Sequence, residues 1–260
     1  MTTQHEEPAG DGNQLIIALQ QWFDGRLGNS VLSTERNQVS RILPDLFGYH
    51  ILQVGQRADA HLLDSSRIHH RIVTSGIATA GTAQNPHLVC KCTALPVATE
   101  SMDVVVLPHL LEFAENPHQI LRETERALIG EGHVIILGFN PWSLFGLWRL
   151  FLAWRDQPPW HGRYIGLTRL KDWLTLLDFE IMKTGRFYFR PPLENVAIMR
   201  RLNFMEQLGR YCWPWFGGVY MLVAKKRVIS ITPIKLQWQT RRHMLAGGVI
   251  EPSARNTSTE

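Results

Sequence analysis

A proline, a histidine and a glutamate follow a short apolar run in the middle of this chain. The run is Met102-Asp103-Val104-Val105-Val106-Leu107, and Pro108-His109-Leu110-Leu111-Glu112 comes directly after it. Such a run predicts a buried strand, and a loop bearing proline and histidine at its carboxyl end marks a place for chemistry, because ligands of open α/β sheets bind there. His109 and Pro108 therefore mark this loop as the place to look for chemistry. Glu112, three residues on, is either a substrate contact or the cap of the next helix. The plain alternative for His109 is a loop residue bonded to the backbone.

The elements around this loop read as one half of a parallel sheet. Pro117 opens a helix that ends near Ile129, Gly130 and Gly132 punctuate, and His133–Leu137 is a second apolar strand. Before the loop, Leu15, Ile16, Leu19, Trp22 and Phe23 keep helical spacing from about Asn13, and a second helix is expected between Ser33 and Leu43. Tyr49–Val54 is a strand, followed by Gly55 and a helix near Asp59–Ser65. Arg71–Thr74 and His87–Lys91 are further strands. Later come a helix over Leu167–Leu177 capped by Thr168, a strand over Phe179–Phe187, a helix over about Leu193–Leu208 and a strand over Val219–Lys225. Alternation of this kind predicts a doubly wound, mostly parallel α/β sheet. Residues 1–13 are expected to be a disordered tail, 14–44 N-terminal helices, 45–228 the main domain and 229–260 an extension with a disordered end.

Composition narrows the class. With 45% apolar and 19% charged residues among 260, the chain can bury a core without staples. Three cysteines argue against a disulfide framework and for a cytoplasmic setting. Cys90 and Cys92 lack further ligands at metal spacing, so no metal site is expected. No apolar leader opens the chain, and no transmembrane segment is expected. Between Arg186 and Arg242 stand 11 Lys/Arg against 2 Asp/Glu, a balance of +9, which leaves −5 for the rest of a chain whose total is +4. Apart from Lys225-Lys226-Arg227 these charges are scattered, which argues against nucleic acid as the partner and for a solvated basic surface.

The phrase as a whole resembles class I S-adenosylmethionine-dependent methyltransferases, in particular the broad bacterial type 11 group. The resemblance rests on Leu95-Pro96-Val97, Met102-Asp103-Val104-Val105, His109-Leu110-Leu111-Glu112-Phe113, Leu121-Arg122-Glu123-Thr124 and Ala127-Leu128-Ile129-Gly130-Glu131-Gly132. It covers roughly residues 45–228 and implies a Rossmann-like, seven-stranded sheet whose last strand is antiparallel. It also implies S-adenosylmethionine as cofactor, with Gln53, Gly55, Gln56, Ser75, Ala94, Leu95 and Leu107 as cofactor-binding positions. His109 is then the candidate general base, because it stands where the methyl group would point.

The chain departs from that pattern at its cofactor end. The usual acidic residue followed by GxGxG is here Gln53-Val54-Gly55-Gln56-Arg57-Ala58-Asp59, so only the first glycine is kept. The acid expected after the second strand is replaced by Thr74 and Ser75, and the acid near the adenine by Lys91 or Cys92. Losing such charge-assisted bonds weakens binding by about 2–3 kcal/mol. The acceptor is expected to be small or hydrophobic, with Glu112, Asn140 and Trp142 as substrate contacts. The apolar insertion 141–160 is a lid over that acceptor, a peripheral membrane or protein contact through 141–155, or a helix packed against the second, helical insertion at 190–216. A methyltransferase-like binding or scaffold protein with weak or no turnover is the alternative, and a nucleic-acid methyltransferase using the basic C-terminal third is a further one.

Overall fold

The structure is a computed structural model that describes residues 18–55, 60–76, 88–152, 159–192 and 204–228. The chain divides into two units, Met1–Val228 and Ile229–Glu260, and the second lies outside the described residues, as do the expected N-terminal tail and Gln56.

Two helices come first, α1 over 18–24 and α2 over Arg26–Val39, separated only by Gly25. The second helix therefore begins well before the expected Ser33. Its apolar stripe of Leu27, Val31, Leu32 and Val39 is already in place from the first turn. The strands are β1 (His50–Val54), β2 (His70–Ser75), β3 (Leu88–Val89), β4 (Met102–Pro108), β5 (Leu128–Phe139), β6 (Phe179–Phe187) and β7 (Val219–Lys226). The helices after α2 are α3 (Pro117–Ala127), α4 (Leu144–Leu152), α5 (Leu167–Leu176) and α6 (Phe204–Cys212).

All seven strands form one sheet in the order β3-β2-β1-β4-β5-β7-β6. Strands β1 to β5 pair in parallel, while β7 runs antiparallel to both β5 and β6. This is the expected class I methyltransferase topology. Strand β4 shows why its sequence is a continuous apolar run: Val104 and Val106 enter one core while Val105 and Leu107 enter the other. The first core gathers Leu19, Phe23 and Val31 of α1 and α2 against Ile51 and Ile135. The second gathers Ile120 and Leu121 of α3 and Leu170 and Leu174 of α5 against Leu52 and Leu222. Asp103 anchors the start of β1, its carboxylate accepting the Tyr49 and His50 amides at 2.9 and 2.8 Å.

Other expectations shift. Residues Ala60–Leu63 form a short 3-10 turn, so no α-helix fills the described part of 59–65. Helix α3 stops at Ala127 and β5 starts at once, so Gly130 and Gly132 lie within the strand. The pairing Met102↔Leu128 jumps to Val104↔His133, and the irregularity absorbs what looked like a turn. Helix α5 is capped by Gly166 rather than Thr168, with no side-chain bond. The described helix between β6 and β7 spans Phe204–Cys212, later than expected, and 193–203 lie outside the described residues.

Candidate active site

His109 stands at the end of β4 in a left-handed conformation, φ +47°. An L-residue pays about 1–2 kcal/mol for that conformation, and here it accompanies a buried polar cluster. The His109 amide donates to the Leu137 carbonyl of β5 at 3.0 Å. On the ring, Nε2 lies 2.6 Å from Glu35 Oε1 of α2, and Nδ1 lies 3.1 Å from Glu112 Oε2. Glu112 Oε1 accepts the Phe139 amide at the end of β5. Gly138 makes room for this: a Cβ there would stand 2.5 Å from the Tyr220 hydroxyl and 2.9 Å from Glu112 Oε1. All three charged side chains are buried.

The electrostatics follow from the pairing. Burial pulls the His109 pKa down, but the Glu35 and Glu112 carboxylates outweigh it and push it up to about 10. His109 is thus an imidazolium at neutral pH, with two carboxylates around one cation. It also packs on Phe139, ring centroids 4.2 Å apart, and beside Phe23 at 5.4 Å. Glu112 has a second consequence: burial first, and this carboxylate next, push the Tyr220 hydroxyl well above its ordinary range. Both ring nitrogens of His109 are engaged and protonated, so the ring has no lone pair for a substrate proton. The general-base role expected of His109 would need one of these two carboxylate contacts to open.

Glu35 was not among the expected site residues, although a signal for it exists. Positions 27, 28, 31, 32, 35 and 39 form the buried stripe of α2, and a carboxylate on that stripe demands a partner. Only the fold shows that the partner is His109.

The other expected residues fall into three groups. Gln53, Ser75 and Leu107 are buried at the carboxyl ends of β1, β2 and β4, beside Gly55. Ala94 and Leu95 lie in the loop after β3, where the Leu95 amide donates to Glu123 Oε1 of α3 at 2.9 Å and its carbonyl accepts Arg126 Nη2 at 3.1 Å. Asn140, just past β5, is consumed within the chain: its Nδ2 donates to the Trp215 and Gly217 carbonyls at 2.8 and 3.0 Å, and its Oδ1 accepts the Trp142 amide at 3.2 Å. Trp142 is 78% exposed. Cys90 and Cys92 pack against the second core, and burial raises the Cys92 thiol to about 11, leaving it protonated at neutral pH. Among the described residues no group of His, Cys, Asp and Glu is placed to hold a metal ion.

Comparison with known proteins agrees with this layout. Residues 66–136, from the approach to β2 to the middle of β5, match the family model described as "Methyltransferase domain". The chain has the class I methyltransferase fold, and residues 66–136 are similar to a methyltransferase domain. A relative over most of its length is "Uncharacterized protein YafS" of Escherichia coli (strain K12), 29% identical over 221 residues, which are 84% of this chain and 85% of that protein. A "SAM-dependent methyltransferase, possible histamine N-methyltransferase" of Thermotoga maritima superposes with a TM-score of 0.58 at 14% identity, covering 83% of this chain and 98% of that one. A SAM-dependent methyltransferase of Archaeoglobus fulgidus superposes with a TM-score of 0.52 at 19% identity, covering 74% and 92%. At such identities the superpositions speak for the fold of the domain. The family match ends at residue 136, so Asn140, α4 and α6 belong to the part of the chain beyond it.

Proposed function

We propose that the protein transfers a methyl group from S-adenosylmethionine to a small or hydrophobic acceptor. The family match over residues 66–136 carries this reading. The position and charge of the described residues support this reading. The strand order reverses between β1 and β4, and ligands of open α/β sheets bind outside the carboxyl ends at such a reversal. Gly55 stands there without a Cβ, where one would come within 3.2 Å of Pro108 Cγ. Gln53, Pro108, His109 and Glu35 wall a small void of about 20 Å³ at the same place. Two carboxylates against one imidazolium give that wall an excess of negative charge, which favours a sulfonium cation.

Gln53, Gly55, Ser75, Leu107 and the loop at Ala94 and Leu95 would hold the cofactor, which supplies an electrophilic methyl carbon when bound. The chain's own work is alignment and exclusion of water. His109 is a positioning residue in this reading. It ties α2 to the ends of β4 and β5 and so fixes Pro108 against Gly55. The proton of an acceptor leaves by a route other than His109. Three cysteines, an odd number, support a cytoplasmic enzyme.

Calorimetric titration with S-adenosylmethionine and S-adenosylhomocysteine tests the reading, with saturable heat expected for both. No binding at millimolar cofactor would remove it. A second reading, a methyltransferase-like binding module without turnover, is favoured by one observation. The Leu95 amide, at a position the resemblance gives to the cofactor, is already spent on Glu123. Cofactor binding without methyl transfer to any fraction of a cell extract would favour that second reading.

A further inference from the structure

Away from the His109 cluster, the sheet's carboxyl side carries a groove whose lining and rim point to a ligand of definite chemistry. Helix α6 is docked firmly, because both Glu206 oxygens accept backbone amides of the segment after β6, Tyr188 at 3.0 Å and Phe189 at 3.1 Å. Gly209 of the same helix lies flush on the Phe189 ring, so close that a Cβ would meet it at 2.4 Å. What this docking leaves open is a groove of about 430 Å³ running from Leu144 of α4 past Phe189 to Leu208 and Trp213. Its eight lining residues carry no charged side chain, and its volume lies within the range of ligand pockets, roughly 300–1,000 Å³.

Phe189 also lines a second, smaller pocket of about 200 Å³ together with Thr184, Arg186 and Pro214. Arg186 sets its guanidinium over the Trp215 ring at 5.1 Å. Its Nε is buried and has no hydrogen-bond partner, and among the described residues no carboxylate pairs with it. Arg190, four residues on, differs: its Nε lies 3.8 Å from Glu206. A buried guanidinium nitrogen without a partner is costly unless an anion completes it. Apolar groove and cationic pocket thus share one wall, the Phe189 ring.

We propose that this pair of pockets binds a single free anionic amphiphile, with its alkyl chain in the groove between α4 and α6 and its carboxylate-like head on Arg186. A chain of this kind gains roughly fourfold in affinity for each methylene it buries, until the groove is full. The head gains a further factor of about ten or more from a charge-assisted bond. The site is independent of the methyl-transfer reading, because none of its residues belongs to the His109 cluster or to the cofactor-binding positions.

Fluorescence titration of the full chain with cis-parinaric acid, displaced by dodecanoate, hexanoate and dodecanol, tests it. Saturable one-to-one binding is expected, with dodecanoate displacing far better than hexanoate and about tenfold better than dodecanol. Arg186→Gln should erase the preference for dodecanoate over dodecanol while keeping the preference for the longer chain. Leu208→Trp and Met205→Trp, each filling the groove, should remove binding while leaving the thermal unfolding midpoint and the response to S-adenosylmethionine as in the parent. Non-saturating partition, equal displacement by dodecanoate and dodecanol, or unchanged binding in whichever filled variant keeps the parent midpoint would overturn the proposal. So would binding to anionic vesicles with no binding of the free chain.

Discussion

Two regions at the carboxyl side of the sheet solve the same problem in opposite ways. At the end of β4, Glu35, His109 and Glu112 are fully buried and satisfy one another at 2.6 and 3.1 Å. Around α4 and α6, Leu150 and Phe151 are 76% and 68% exposed, and the Arg186 Nε has no partner. An aromatic row joins the two regions: Phe139 stacks on Phe145 at 5.6 Å, and Phe145 meets Tyr188 at 5.6 Å. A region whose polar groups are complete within the chain is built to hold a geometry. A region with exposed apolar surface and an incomplete donor is built to meet something else. Helix α4 belongs to both, with Phe145 buried in the core and Leu147, Leu150 and Phe151 outside it.

The largest break of this contrast comes from removing the cation. His109→Ala leaves Glu35 and Glu112 facing each other in the core, and breaking a buried pair in this way costs about 3–5 kcal/mol. Urea denaturation should show that loss, and a change below about 1 kcal/mol would mean that water already reaches the cluster. Glu35→Gln is milder. It keeps the shape and one hydrogen bond and costs about 1–3 kcal/mol.

The two variants also differ in how stability follows pH. In the parent protein His109 titrates near 10, against an ordinary value of 6.5. The folded state therefore holds this proton more tightly than the unfolded chain does. Its contribution is complete below about pH 6.5 and is lost as pH rises toward 10. Stability should fall over that window, by up to about 1.4 kcal/mol per pH unit at its steepest. Glu35→Gln should shift the fall to lower pH, and His109→Ala should abolish it. A parent curve that stays flat across the window would contradict an imidazolium in the core.

These residues also show what a sequence yields. The strands were legible because a strand buried on both faces must be a continuous apolar run, and the Val219–Ala224 part of β7 and the β4 run are of that kind. The short 3-10 turn at Ala60–Leu63 was not, since its apolar residues fit an α-helix equally well. His109 and Glu112 could be marked as a pair by their spacing. Their third member could not, because Glu35 lies 74 residues from His109 and only the docking of α2 brings them together. Protonation changes with that contact: a loop histidine alone reads as a base, and the same histidine between two carboxylates is an acid that keeps its proton. The groove was half legible. The apolar excess of 144–152 was plain and a neighbour in the 190–216 insertion was among its readings, but which residues of that insertion, Leu208 and Trp213, line the groove with Phe189 is set only by the docking of α6.

A smaller effect tests the seam between the regions. Asn140 ties the end of β5 to the Trp215 and Gly217 carbonyls. Asn140→Ala should cost about 1–2 kcal/mol, and hydrogen exchange should speed up over 213–217 before it does so at His109. Uniform protection across both regions would show that the seam does not separate them.

The smallest effect bears on whether the exposed face belongs to the fold at all. Trp142 offers large apolar area yet is 78% exposed, so its removal takes little buried surface from the folded state. Trp142→Ala should leave stability within about 0.5 kcal/mol. The same truncation at Phe145, which is fully buried on the opposite side of α4's start, should cost about 3–5 kcal/mol. The ratio matters more than either value, because the two residues are only three positions apart and their local backbone is shared. If Trp142→Ala also cost several kcal/mol, Trp142 would be buried against another part of the chain. The contrast between a closed centre and an open face would then fail three residues past β5.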